Sequence, residues 1–72
     1  MKPLSLREVE RILRDWGFKK MTTSGSHVKW KNEETGCCCI VPFHGYSRIF
    51  PQGTLKSIFR QADIPEEVAN DY

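Results

Sequence analysis

The stretch HVKWKNEETGCCCIVPF, residues 27–43, decides the fold, because the rest of the chain has to pack against whatever it forms. Val28 and Trp30 alternate with His27, Lys29 and Lys31, which is the period-two pattern of a half-buried strand. EETG follows, with Gly36 suited to a hairpin loop. CCCIVPF is then an apolar run of strand length, too short for an independent helix. Pro42 either ends regular pairing or lies where its missing N–H does no harm. With residues 33–36 as the loop, Asn32 pairs with Cys37 and His27 falls opposite Pro42. In that register His44 shares a face with His27 as a diagonal neighbour, about 7 Å away. A bulge at Gly36 would turn His44 to the opposite face. The third strand is apolar on both faces, so its pattern leaves the choice open.

Upstream of the hairpin, FKKMTT (18–23) reads as another short strand and SGS (24–26) as a tight turn. Three strands joined in sequence order by short loops make an antiparallel meander. Before them, LSLREVERILRDWGF (4–18) carries a helix over residues 5–16. Ser5 and Glu8 form a capping-box pattern, Leu6, Val9, Ile12, Leu13 and Trp16 supply an apolar stripe, and Gly17 is suited to a left-handed stop. Arg7, Glu10, Arg11 and Arg14 face outward and read as a solvated surface. After the loop HGYSRIFPQGT, GTLKSIFRQADI (53–64) gives a second amphipathic helix, with Leu55, Ile58, Phe59 and Ala62 inward and Asp63 at its end. PEEVAND adds a final helical turn after Pro65. The order helix-strand-strand-strand-helix implies an α+β two-layer sandwich, with both helices on one face of the sheet.

A chain of 72 residues is expected to form one domain over residues 1–72 with one thin core. That argues against a deep cofactor cleft, and no cofactor is expected. The formal net charge of +2 is too small to establish nucleic-acid binding by itself. Its distribution is more telling: bases crowd the first half and recur at Arg48, Lys56 and Arg60, while Asp63, Glu66, Glu67 and Asp71 close the chain. No apolar run is long enough to span a membrane, and charges follow Leu4 and Leu6 too closely for a signal peptide. Cys37, Cys38 and Cys39 are adjacent and odd in number, so no disulfide framework follows, and a reduced, cytoplasmic protein is expected. They lack the paired spacing of a zinc site, so no metal is expected, and they read as small buried hydrophobes of low reactivity.

Chemistry converges on TSGSHVKWK, residues 23–31. Gly25 permits a tight turn and close approach of a ligand, Ser26 adds a hydroxyl, and His27 stands where loop becomes strand. An imidazole can take or give a proton near neutral pH. Lys29 and Lys31 project on the same side as His27, since residues two apart on a strand do so. Histidine with two ammonium groups suits a phosphodiester: cleavage of RNA by its own 2'-hydroxyl needs proton transfer and cationic stabilisation. His44 is the second candidate acid or base. Trp30 belongs to the apolar half of the alternation and reads as core, whereas Tyr46 is available to stack on a base. Neither a nucleophile elbow nor a phosphate-cradling glycine loop is present.

Taken together, Gly17-Phe18, GSHVKW (25–30), VPFHG (41–45) and GTLKSIFRQADI (53–64) resemble the HicA toxin family of toxin-antitoxin pairs. The resemblance implies a double-stranded RNA-binding-domain-like fold, in agreement with the element order. It implies a metal-independent endoribonuclease that cuts mRNA, with His27 as the catalytic residue. It further implies a HicB-like antitoxin partner that masks His27, and a structural role for the start of the second helix, with Lys56 available to phosphate. The triple cysteine departs from the family's pattern in that strand. Two other readings use the same surface: a module that binds RNA without cutting it, and a protein-interaction domain whose basic face meets an acidic partner.

Overall fold

A computed structural model describes residues 1–72 and gives the expected order of elements. Helix α1 spans Leu6–Asp15, strands β1, β2 and β3 span Phe18–Ser24, His27–Asn32 and Cys38–Pro42, helix α2 spans Gln52–Ala62, and a 3-10 helix spans Glu66–Asp71. The strands form an antiparallel sheet in the order β1-β2-β3. Its covered face contributes Val28, Trp30, Cys39 and Val41 to a single core, where they meet Leu6, Val9, Ile12 and Leu13 of α1 and Leu55, Ile58, Phe59 and Ala62 of α2.

Each element begins and ends for local reasons. The Ser5 hydroxyl accepts the Glu8 N–H, and the Glu8 carboxylate accepts the Ser5 N–H at 2.8 Å, so α1 starts on a complete capping box. The Ser5 N–H and the Ser5 hydroxyl, the latter at 3.0 Å, donate to the Glu8 carboxylate and hold it below the usual carboxylate range. The helix stops where Gly17 takes φ +89°, a conformation with little penalty only for glycine. Trp16 therefore does not complete the apolar stripe. It sits at the C-terminal cap, 42% exposed, and Phe18 takes the inward position as the chain reverses into β1. Helix α2 ends at Asp63, in the left-handed conformation.

In the hairpin, Asn32 donates its N–H to Cys37 at 2.9 Å and His27 stands opposite Pro42, which is the register of a loop over residues 33–36. The side chain of Asn32 is buried and bonded through both its nitrogen and its oxygen. It donates to the Trp16 carbonyl at 2.9 Å and accepts the Glu34 and Thr35 N–H groups, tying the end of α1 to the hairpin loop. Along β3 the residues bonded to β2 alternate with residues whose N–H groups point away from the sheet. Ile40 belongs to the outward set, and its N–H is taken by the Gln61 side chain of α2 at 3.2 Å. Pro42 belongs to the same set, so its missing donor leaves no ladder bond unmade. One edge of the sheet is thereby closed.

The cysteine run divides between environments. Only Cys39 is buried; Cys37 and Cys38 are half-exposed, which corrects the expectation of three buried thiols. Alternation turns Cys38 to the open face, and Cys37, though packed against the core on the side of Cys39, lies just before β3 begins and is only partly covered. Burial, and then the neighbouring Cys38 and Cys37, push the Cys39 thiol up to about 12, so it stays protonated and inert at neutral pH.

Candidate functional site

The second face of the sheet has no helix against it. From the pairing register it presents Lys19, Thr22 and Ser24 on β1, His27, Lys29 and Lys31 on β2, and Cys38, Ile40 and Pro42 on β3. The face contains no carboxylate. Lys31 lies directly opposite Lys19, and Lys29 and His27 continue the basic row along the central strand. Like charges paired across strands destabilise a sheet, so packing and stability do not account for this arrangement.

His27 occupies one end of that row and is exposed. Its position follows from the turn before it: Ser24 pairs with His27, leaving Gly25 and Ser26 as a two-residue connection. Gly25 has φ +61° and Ser26 does not have positive φ, the pattern of a type II′ hairpin turn, whose first central position favours glycine. Nothing lies within 4 Å of where a Gly25 side chain would stand, so the backbone there is open to an approaching molecule. On the other side, the Phe43 N–H donates to the Ser26 carbonyl at 2.6 Å, anchoring the turn to the exit of β3. His27 thus stands on an open shelf held by three strands.

Gly25, Ser26, Lys29 and Lys31 therefore gather with His27 at one end and along one face. Lys56 does not join them, because it is exposed on α2, in the helical layer. His44 lies past the end of β3. Its ring meets the buried Phe50 edge-on, with centroids 4.7 Å apart, and its Nδ1 is buried without a hydrogen-bond partner. Tyr46 is exposed and stands against exposed Phe43, ring centroids 5.2 Å apart and nearly perpendicular. Trp30 is fully buried, as its alternation requires, with the Arg14 guanidinium 5.3 Å and the Lys20 ammonium 5.5 Å from its ring centre.

Sequence reasoning did not single out Lys19, Thr22 and Ser24 as members of this face. The two-residue turn would have placed Ser24 opposite His27. The bulge at Met21, which shifts the register between Lys20 and Thr22, carries no comparable signal. The position of Phe43 at the His27 end, one hydrogen bond from Ser26, follows from the register that sets His27 opposite Pro42.

A family model described as the HicA toxin of bacterial toxin-antitoxin matches residues 6–64, from the start of α1 to just beyond α2. No curated protein sequence matches the chain. No helix is long and apolar enough to cross a membrane.

Proposed function

The chain belongs to the HicA toxin family, and from that membership we propose that it is an endoribonuclease that cleaves mRNA and so arrests translation and growth. The observation that supports this most directly is the uncovered, carboxylate-free sheet face with exposed His27 at its end. Lys29 and Lys31 attract and orient the phosphodiester, and their charge stabilises the phosphorane that forms. His27 takes the proton of the ribose 2'-hydroxyl as its oxygen attacks phosphorus. The bond from phosphorus to the 5'-oxygen then breaks, and that oxygen receives a proton from the imidazolium. The products are a 2',3'-cyclic phosphate and a 5'-hydroxyl. Gly25 leaves room for the strand, and the Ser26 hydroxyl is placed to bind it.

His44 leans on Phe50 with a buried nitrogen, so we assign both proton transfers to His27 and leave His44 the task of holding the 43–50 loop. Lys56 serves, in this scheme, as a remote phosphate contact. The partner is an antitoxin of the HicB type that covers His27 and neutralises the basic face, in keeping with a family of toxin-antitoxin pairs.

The test is induced expression of the wild type and of His27→Ala in a bacterium, followed by analysis of transcript integrity and fragment ends. Wild type should fragment mRNA and leave 2',3'-cyclic phosphate ends. His27→Ala should lose cleavage by about 100-fold or more, with its melting curve and RNA affinity retained. Intact transcripts with both proteins would defeat the proposal, and RNA binding without cleavage by the wild type would leave a binding module in its place.

A further inference from the structure

We propose that the groove between α1 and the 45–48 loop is a second RNA site, which holds a single strand beyond the cut by phosphate contacts with Arg7 and Arg11 and by stacking on Tyr46. This rests on the ribonuclease reading above and extends it to a part of the molecule remote from the sheet face. The molecule has one concavity, a groove of about 460 Å³ lined by Arg7, Glu10, Arg11, Arg14, Asp15 and Tyr46. Arg7, Arg11 and Arg14 stand one helical turn apart in succession and so share a side of α1.

The acids in the groove are already engaged. Glu10 is buried and faces the Arg14 guanidinium at 3.5 Å and the Lys20 ammonium at 3.3 Å, while Asp15 accepts the Tyr72 hydroxyl at 2.6 Å. Arg7 and Arg11 have no ion-pair partner in the chain and are exposed. Asp15 keeps its charge, since a neutral hydroxyl does not offset it, so three arginines against two carboxylates leave the lining with a net charge of +1. Exposed Tyr46 provides an aromatic surface beside these guanidiniums, the combination that holds single-stranded nucleic acid through phosphates and bases together. Its loop is fixed rather than adventitious: the Tyr46 carbonyl accepts the Arg7 N–H at 3.1 Å, capping the first turn of α1.

A route connects the groove to His27. Phe43 donates its N–H to Ser26, the residue before His27, and its ring meets that of Tyr46. The N-terminal end of α1, the aromatic pair and the His27 turn thus lie at one end of a molecule whose longest dimension is 27 Å. A strand cut at His27 passes over Phe43 and Tyr46 before meeting Arg7 and Arg11. Guanidiniums beside an exposed ring, on a path leading from His27, favour RNA as the occupant; because Tyr and Arg also serve protein interfaces, binding of the antitoxin is the competing outcome of the test.

The experiment measures binding of a fluorescent, unstructured RNA of about 12 nucleotides, within the usual range for small single-strand binders, to the full chain carrying His27→Ala. Adding Arg7→Gln and Arg11→Gln together should weaken binding at least tenfold at low salt. It should also lower the slope of log Kd against log salt by about 1.4, or 0.7 for each lost phosphate contact. Tyr46→Ala should weaken binding about fivefold or more with the slope unchanged. Arg60→Gln, which removes one charge from the exposed side of α2 where the paired change removes two from α1, should change affinity by about twofold or less. In the cleaving protein the paired arginine change should raise KM and spare kcat. Unchanged affinity and slope in the arginine variant would overturn the groove site while leaving His27 chemistry intact. So would a loss confined to binding of the antitoxin, which would make the groove a protein face. If the parent bound no RNA at all, the ribonuclease reading would fall with it.

Discussion

The two faces of strand β2 come from the same six residues and have opposite characters. One face, Val28 and Trp30, is sealed beneath both helices; the other, His27, Lys29 and Lys31, has no covering layer. The first is arranged for stability, with Trp30 fully buried against Cys39 across the ladder and two cations over its ring. The second is arranged against stability, with Lys31 facing Lys19 and no acid to relieve them. A row of like charges without a compensating partner creates a positive field suited to a ligand of opposite charge. That contrast, more than the histidine alone, is what the proposed function rests on.

The largest effect should come from breaking the covered face. Trp30→Ala removes the largest side chain of the core, and truncating a buried aromatic costs about 3–5 kcal/mol. Domains of this size hold only about 5–10 kcal/mol in all, so chemical denaturation should show a variant close to unfolded at 37 °C. Trp16→Ala is the matched control: the side chain is 42% exposed at the cap of α1, and its loss should cost about 1 kcal/mol or less. Equal losses from the two changes would mean that the core is not where the burial pattern puts it.

The pair also marks how far the sequence could be read. Helix periodicity, the Ser5–Glu8 capping box, Gly17 and the meander are local or short-range features, and all were legible; the Asn32–Cys37 closure was one of two registers that the apolar third strand left open. Trp16 was not, because the same apolar spacing continues one residue beyond the point where Gly17 ends the helix. The cysteines were misjudged for a related reason: an apolar run carries no alternation to say which side is covered, and only the helical layer selects Cys39. Of the candidate site, the row from His27 to Lys31 follows from period two alone. Its opposition to Lys19 depends on a register that passes through the Met21 bulge, and the groove beside α1 depends on the 43–50 loop folding back onto Arg7.

An intermediate effect should come from Asn32, which belongs to the covered side but is polar. Its side chain supplies a donor to Trp16 and an acceptor to Glu34 and Thr35, joining the end of α1 to the hairpin loop whose register sets both faces. Asn32→Ala leaves these backbone groups to partial hydration, and each buried loss costs about 1–3 kcal/mol. A net loss of about 2 kcal/mol is expected, seen as a fall in Tm of roughly 10 °C for a domain of this length. Because register is at stake, amide exchange should rise at Trp30 and Cys39 as well as in the loop. A fall in Tm with exchange confined to residues 33–36 would show that the hairpin register is held by the core alone.

The smallest effect has the opposite sign and tests the open face directly. Lys31→Gln removes one of two ammonium groups set directly across the β1–β2 ladder, and like charges in that position destabilise by a few tenths of a kcal/mol. The free protein should therefore become more stable by about 0.2–0.5 kcal/mol at low salt. The gain should disappear near 1 M salt, where screening shortens to about 3 Å. The same change should weaken RNA binding and reduce its salt slope by about 0.7, the value for one lost phosphate contact. Stability and affinity thus move in opposite directions in one variant, which a residue serving the fold would not produce. A loss of stability on Lys31→Gln, or a gain indifferent to salt, would mean that the long aliphatic stem of Lys31 is packing the sheet and that the basic row is a by-product of solubility.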